Sequence, residues 1–126
     1  MSEIQRFDVG ARMSEMAVYN GMAYLAGQVA PDGSQDIKGQ TAQVLAAIDA
    51  LLARAGTDKS RILRAQIFLK DLAEFADMNS VWEAWVVPGH TPPRATVKAD
   101  LAKEKAKLDI VMNDVPVGIT LVNQDL

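Results

Sequence analysis

The 126 residues are one domain's worth of chain, 49% hydrophobic and 23% charged, with 13 basic and 16 acidic side chains for a net charge of −3. That balance, with Lys103, Lys105 and Lys107 interrupted by Glu104 and flanked by Asp100 and Asp109, argues against a nucleic-acid partner. With no cysteine, disulfides and thiolate chemistry are excluded, and with no secretory-type apolar stretch before Asp8 and no apolar run near the ~20 residues that span a bilayer, a cytoplasmic protein without a membrane partner is expected.

In chain order, an additional strand is possible near Gln5 to Phe7. Apolar runs over residues 16–20 and 22–27 meet at Asn20-Gly21, a dipeptide that accepts positive φ at both turn centres and so predicts a tight hairpin. Pro31-Asp32-Gly33-Ser34 supplies loop chemistry. Ile37, Thr41, Val44, Leu45, Ile48, Leu51, Leu52 and Ala55 then follow helical spacing, with Lys38, Gln43, Asp49 and Arg54 opposite and Gly56 placed as a C-terminal cap. Over residues 62–69 the period changes to that of a strand, with Leu63, Ala65, Ile67 and Leu69 on one side and Arg64 and Gln66 on the other.

Asp71 to Glu74 reads as a capping box, followed by a helical face of Leu72, Phe75, Met78, Trp82 and Trp85 that Pro88-Gly89 ends. Residues 94–99 and 107–115 read as two more strands. An α+β domain follows: a mixed six-stranded sheet with two helices packed on one face, spanning residues 1–115. Residues 116–126 form an extension, either an extra strand using Ile119 to Val122 or a tail.

Most candidate chemistry is thin. His90 is the only histidine and sits in a loop, so a two-histidine ribonuclease site cannot be built in one chain. No metal-ligand spacing occurs, and Gly27-Gln28 belongs to no dinucleotide fingerprint; neither a metal nor a cofactor is expected. Trp85 reads as core, with Trp82 open between core and pocket. Arg94 stands out: Pro92-Pro93 fix the incoming backbone, and alternation sets Arg94, Thr96 and Lys98 opposite the core-like Ala95, Val97 and Ala99. A guanidinium held this way can grip a carboxylate with two parallel hydrogen bonds. By spacing alone, a solvated surface arginine remains the commoner reading.

Four stretches together resemble the RidA (YjgF) family, in its YoaB-like branch: Tyr24-Leu-Ala-Gly27-Gln28, Gln66-Ile-Phe-Leu-Lys-Asp71, Phe75-Ala-Asp-Met-Asn79 and Pro93-Arg94-Ala-Thr-Val97. The resemblance implies a chorismate-mutase-like fold, a homotrimer, and ligand clefts between subunits. It implies that Arg94 clamps a substrate carboxylate, that Gly27 approaches the ligand with its backbone, and that Asn79 lies at or near the cleft. It further implies hydrolysis of reactive imines or enamines to 2-keto acids and ammonia. The chain departs from the pattern where Val111 falls at the family's catalytic glutamate, Thr96 at its cysteine, and Met13, beside Ser14, at its tyrosine. Thr96 still offers a hydroxyl. Asp109 shares Val111's strand face and Asp114 does not, so Asp109 is a candidate substitute. Carboxylate binding is therefore the leading expectation, with deamination and non-catalytic, regulatory binding behind it. An RNA-cleaving role suits an acidic chain with one histidine poorly.

Overall fold

The computed structural model describes residues 3–100 and 117–124. They form strands β1 (Gln5–Phe7), β2 (Met16–Tyr19), β3 (Met22–Leu25) and β4 (Gln28–Val29), helix α1 (Ile37–Arg54), strand β5 (Ile62–Leu69), helix α2 (Phe75–Trp85), and strands β6 (Arg94–Lys98) and β7 (Val117–Gln124). Asn20 and Gly21 close the β2–β3 hairpin at φ 52° and 77°, the conformation that their small or absent side chains tolerate. Asp36 caps α1 by accepting from the Gly39 N–H at 2.8 Å, a contact worth about 1 kcal/mol. Gly56, at φ 81°, turns the chain out of the helix.

One mixed sheet holds all seven of these strands, in the order β1-β2-β3-β7-β5-β6, with β4 also paired to β7. Strands β5 and β6 run parallel, and the other pairs are antiparallel. The six strands expected from the sequence include residues 107–115, which lie outside the described residues, and do not include β4. Residues 117–124, left open between strand and tail, are a strand between β3 and β5.

Strand alternation sends Met16, Val18, Ala23, Leu25, Ala65, Ile67, Leu69, Ile119 and Leu121 to one face, where the apolar stripe of α1 and Met78 and Trp82 of α2 bury them. Both helices lie on this face, as expected. The opposite face carries Tyr24, Phe68, Val97 and Val122, with Tyr24 and Val97 exposed.

Three details depart from the sequence reading. An irregularity in β5 between Ile62 and Arg64 shifts the register by one residue, so Ile62 is buried and Leu63 is 46% exposed. On α2 it is Trp82, 5% exposed, that enters the core, while Trp85 is only partly buried and Phe75 and Leu72 are exposed. Asp71 caps a short 3-10 turn at Leu72–Glu74 by accepting from the Ala73 N–H, and α2 begins after it without a side-chain cap from Glu74.

Candidate functional site

Pro93 docks the start of β6 by accepting a hydrogen bond from the Ala65 N–H at 3.0 Å, and Arg94 then pairs with Ala65, Thr96 with Ile67, and Lys98 with Leu69. Residues side by side on neighbouring strands share a face. Arg94, Thr96 and Lys98 therefore lie on the helix-covered side, and Ala95 and Val97 on the open side, the reverse of the expected assignment. Alternation fixes which residues share a face but not which face the helices cover.

The reversal brings Arg94 under α2. Its guanidinium carbon lies 5.3 Å from the Trp82 ring centroid and 5.9 Å from that of Phe75, within reach of both ring quadrupoles. Among the described residues no hydrogen bond or ion pair engages the group. Burial pulls the guanidinium below its ordinary value and the Glu83 carboxylate pulls it back, leaving it a cation at neutral pH. Beside it opens a cavity of about 240 Å³ lined by Leu63, Arg64, Ala65, Pro93, Arg94 and Ala95.

Two residues further along β6, the Thr96 hydroxyl is buried and makes no hydrogen bond with the described residues. Burying a hydroxyl without a partner carries a cost. Asn79 is half-buried on α2, four residues after Phe75 and three before Trp82, and so lies on the same stripe of the helix as the two rings over Arg94. Arg94, Thr96 and Asn79 thus gather at one edge of the sheet.

Gly27 does not join them. It sits between β3 and β4, and β4, β7, β5 and β6 are successive neighbours, so about 14 Å of sheet separates it from β6 at ~4.8 Å per strand. A Cβ at Gly27 would meet nothing within 4 Å, so packing among the described residues does not demand glycine there. The neighbouring Gln28 amide braces this bend by donating to Ala26 O at 3.0 Å and to the Glu15 carboxylate at 3.2 Å. Glu15 is a carboxylate beside Gly27 that sequence reasoning did not single out, since only the hairpin register brings it there. The aromatic flank of Arg94 also went unread, because pairing Trp82 with Arg94 needs the helix placed over β6.

Val111, Asp109 and Asp114 lie outside the described residues. Ser14 and Met13 are half-buried ahead of β2. His90 is exposed, with Nδ1 3.3 Å from the Pro88 carbonyl. A second cavity, about 680 Å³, lies at the far end of β6 among Gly33, Gln40, Lys70, Asp71, Glu74, Lys98 and Asp100. Among the described residues no cluster of three or more potential metal-ligating side chains occurs, and no helix is long and apolar enough to cross a membrane.

A family model described as Endoribonuclease L-PSP matches residues 3–113. The chain belongs to this family, that of the RidA, YjgF and RutC proteins. It is 50% identical over 109 residues to a RutC family protein of Haemophilus ducreyi, covering 86% of this chain and 93% of that one. To the RutC family protein YoaB of Escherichia coli it is 47% identical over 107 residues, covering 85% and 93%. In structure it resembles NMB1025, a YjgF family member from Neisseria meningitidis, with a TM-score of 0.87 at 39% identity over 98% of this chain and 96% of that one. These relatives bear out the family and the α+β fold. Strand β7 begins at Val117, beyond the residues that the family model matches.

Proposed function

We propose that this RidA-family protein binds small carboxylate metabolites of the 2-keto and 2-imino acid class, with Arg94 as the carboxylate receptor, in clefts between the subunits of a homotrimer. The observation that carries the reading is Arg94 itself: a half-buried guanidinium set against two aromatic rings, with no hydrogen bond or ion pair among the described residues. Ring contacts leave its edge N–H groups for a planar anion, which they meet with two parallel bonds. The Thr96 hydroxyl and the Asn79 amide are the neighbouring groups suited to a ligand's keto or imino function.

The separation of Gly27 from Arg94 favours a cleft between subunits, because one small ligand cannot touch both within a chain but can if a second copy brings its Gly27 bend to β6. The open sheet face, with Tyr24 and Val97 exposed, favours assembly, since apolar surface of this kind is buried in stable oligomers. Titrating 2-ketobutyrate and its neutral counterpart 2-butanone by calorimetry tests the receptor. The acid is expected to bind and the ketone not; equal behaviour of the two contradicts it.

Hydrolysis of reactive enamines or imines is the second reading, in which water adds across the C=N bond and yields the keto acid and ammonia. The Thr96 hydroxyl, which makes no hydrogen bond with the described residues, favours it as a group that can hold that water. With Val111 where the family has its glutamate, turnover is expected to be weak, and Val111→Glu is expected to raise it. Release of keto acid and ammonia from freshly generated 2-aminoacrylate measures both. A parent protein without turnover that still binds keto acids is a metabolite-binding, regulatory member of the family.

A further inference from the structure

We infer that Trp85 and Asp49 are positioning residues for Arg94, acting through Trp82. An arginine side chain has many rotamers, and a guanidinium without a fixed polar partner is only as well placed as the surface it rests on. Here that surface is the Trp82 ring, 5.3 Å from the guanidinium carbon, together with the Phe75 ring at 5.9 Å. Trp82 in turn meets Trp85, three residues along α2, with centroids 5.6 Å apart and planes tilted at 44°, a favourable aromatic arrangement.

Trp85 is pinned at two points outside this pair. Its indole Nε1–H donates to Asp49 Oδ2 at 2.9 Å, which ties α2 to α1. The Lys59 ammonium lies 5.0 Å from its ring centroid. Asp49 is exposed in the body of α1, away from the first turn where an acidic residue helps a helix, and aspartate is a poor helix former. The helix gains little from this carboxylate; the indole N–H gains a partner. A phenylalanine at position 85 would keep an aromatic ring there but offers no donor, so it removes the tie to Asp49. The series Asp49, Trp85, Trp82, Arg94 thus runs from the outer surface of α1 to the receptor.

Its functional consequence rests on the carboxylate reading of Arg94, and the test keeps the two apart. The ligand-free protein is observed by NMR at the Arg94 Nε–H, which the Trp82 ring current displaces, in the parent, in Asp49→Ala and in Trp85→Phe. Pyruvate is then titrated into each, and into Asp49→Ala combined with Arg94→Ala. The Nε–H signal should move in both single variants, and pyruvate affinity should fall about three- to ten-fold, the size of one lost hydrogen bond. Asp49→Ala should weaken binding in the parent background and leave it unchanged once Arg94 is alanine, whereas a purely stabilising helix staple would leave binding by the folded protein unchanged in both. A signal that stays in place in both variants overturns the inference. A signal that moves in a protein whose parent form does not bind pyruvate upholds the positioning and refutes the carboxylate reading.

Discussion

Ala65 and Arg94 lie side by side across the parallel β5–β6 pair, which sets the Arg94 guanidinium on the helix-covered face and Val97 on the open one. The open face is therefore apolar where β6 contributes to it, and the Arg94 charge belongs to the layer between sheet and helix.

The open face is the surface on which the proposed trimer depends. Val97 is 38% exposed in the single chain, so Val97→Glu is expected to leave the monomer folded and to break the proposed trimer. Light scattering at micromolar concentration checks this: the parent should run as a trimer and the variant as a smaller species. A monomeric parent removes the cleft between subunits.

Strand β7 makes a stronger demand on the chain. It pairs with β3, β4 and β5 and supplies the fully buried Ile119. A chain ending at residue 115 would open the sheet between β3 and β5, so it is expected to lose its cooperative thermal transition by circular dichroism. A truncated protein that melts as sharply as the parent would contradict the position of β7.

The two tryptophans should separate in denaturant melts. Trp82→Ala removes a ring that is 5% exposed and is expected to cost about 3–5 kcal/mol, as truncating a buried aromatic does. Trp85→Ala, at the partly buried rim, should cost distinctly less. Equal costs would mean that both rings are core.

That order inverts the expectation from spacing, and the reason is geometric. A helical stripe of Leu72, Phe75, Met78, Trp82 and Trp85 is wider than the contact that α2 makes with the sheet, so its middle is buried and its ends are not. The long helix was legible because Ile37 to Leu52 follow one unbroken period, and the hairpin because Asn20-Gly21 permits only a few turns. The β5 irregularity leaves no mark in a run as apolar as Ile62-Leu63. Pro92-Pro93 made the rigid entry into the Arg94 strand legible, but its face was not, because face assignment depends on pairing with a strand nearly thirty positions earlier, as the Ala65–Arg94 partnership shows.

At the sheet's other edge, Arg54 holds Asp8 through two bonds of 2.7 and 3.1 Å while stacking on Phe7, tying β1 to the end of α1. The Arg54 hydrogen bond lowers Asp8 below the ordinary carboxylate range. A lowered folded-state value means that the pair's contribution is complete above that range and is lost as pH falls through Asp8's own lowered value. Carboxyl NMR titration should find the Asp8 midpoint rising toward the ordinary range in Arg54→Ala. An unmoved midpoint would mean that the pair does not persist in solution.

Calorimetric titration of pyruvate into the parent, Arg94→Ala and Arg94→Lys decides whether Arg94 receives the carboxylate. A two-pronged, charge-assisted grip predicts that alanine weakens binding by about 1.5–3 kcal/mol. Lysine should not restore it, because an ammonium cannot form the paired bonds. If Arg94→Ala binds pyruvate as tightly as the parent does, Arg94 is not the receptor and the carboxylate reading fails.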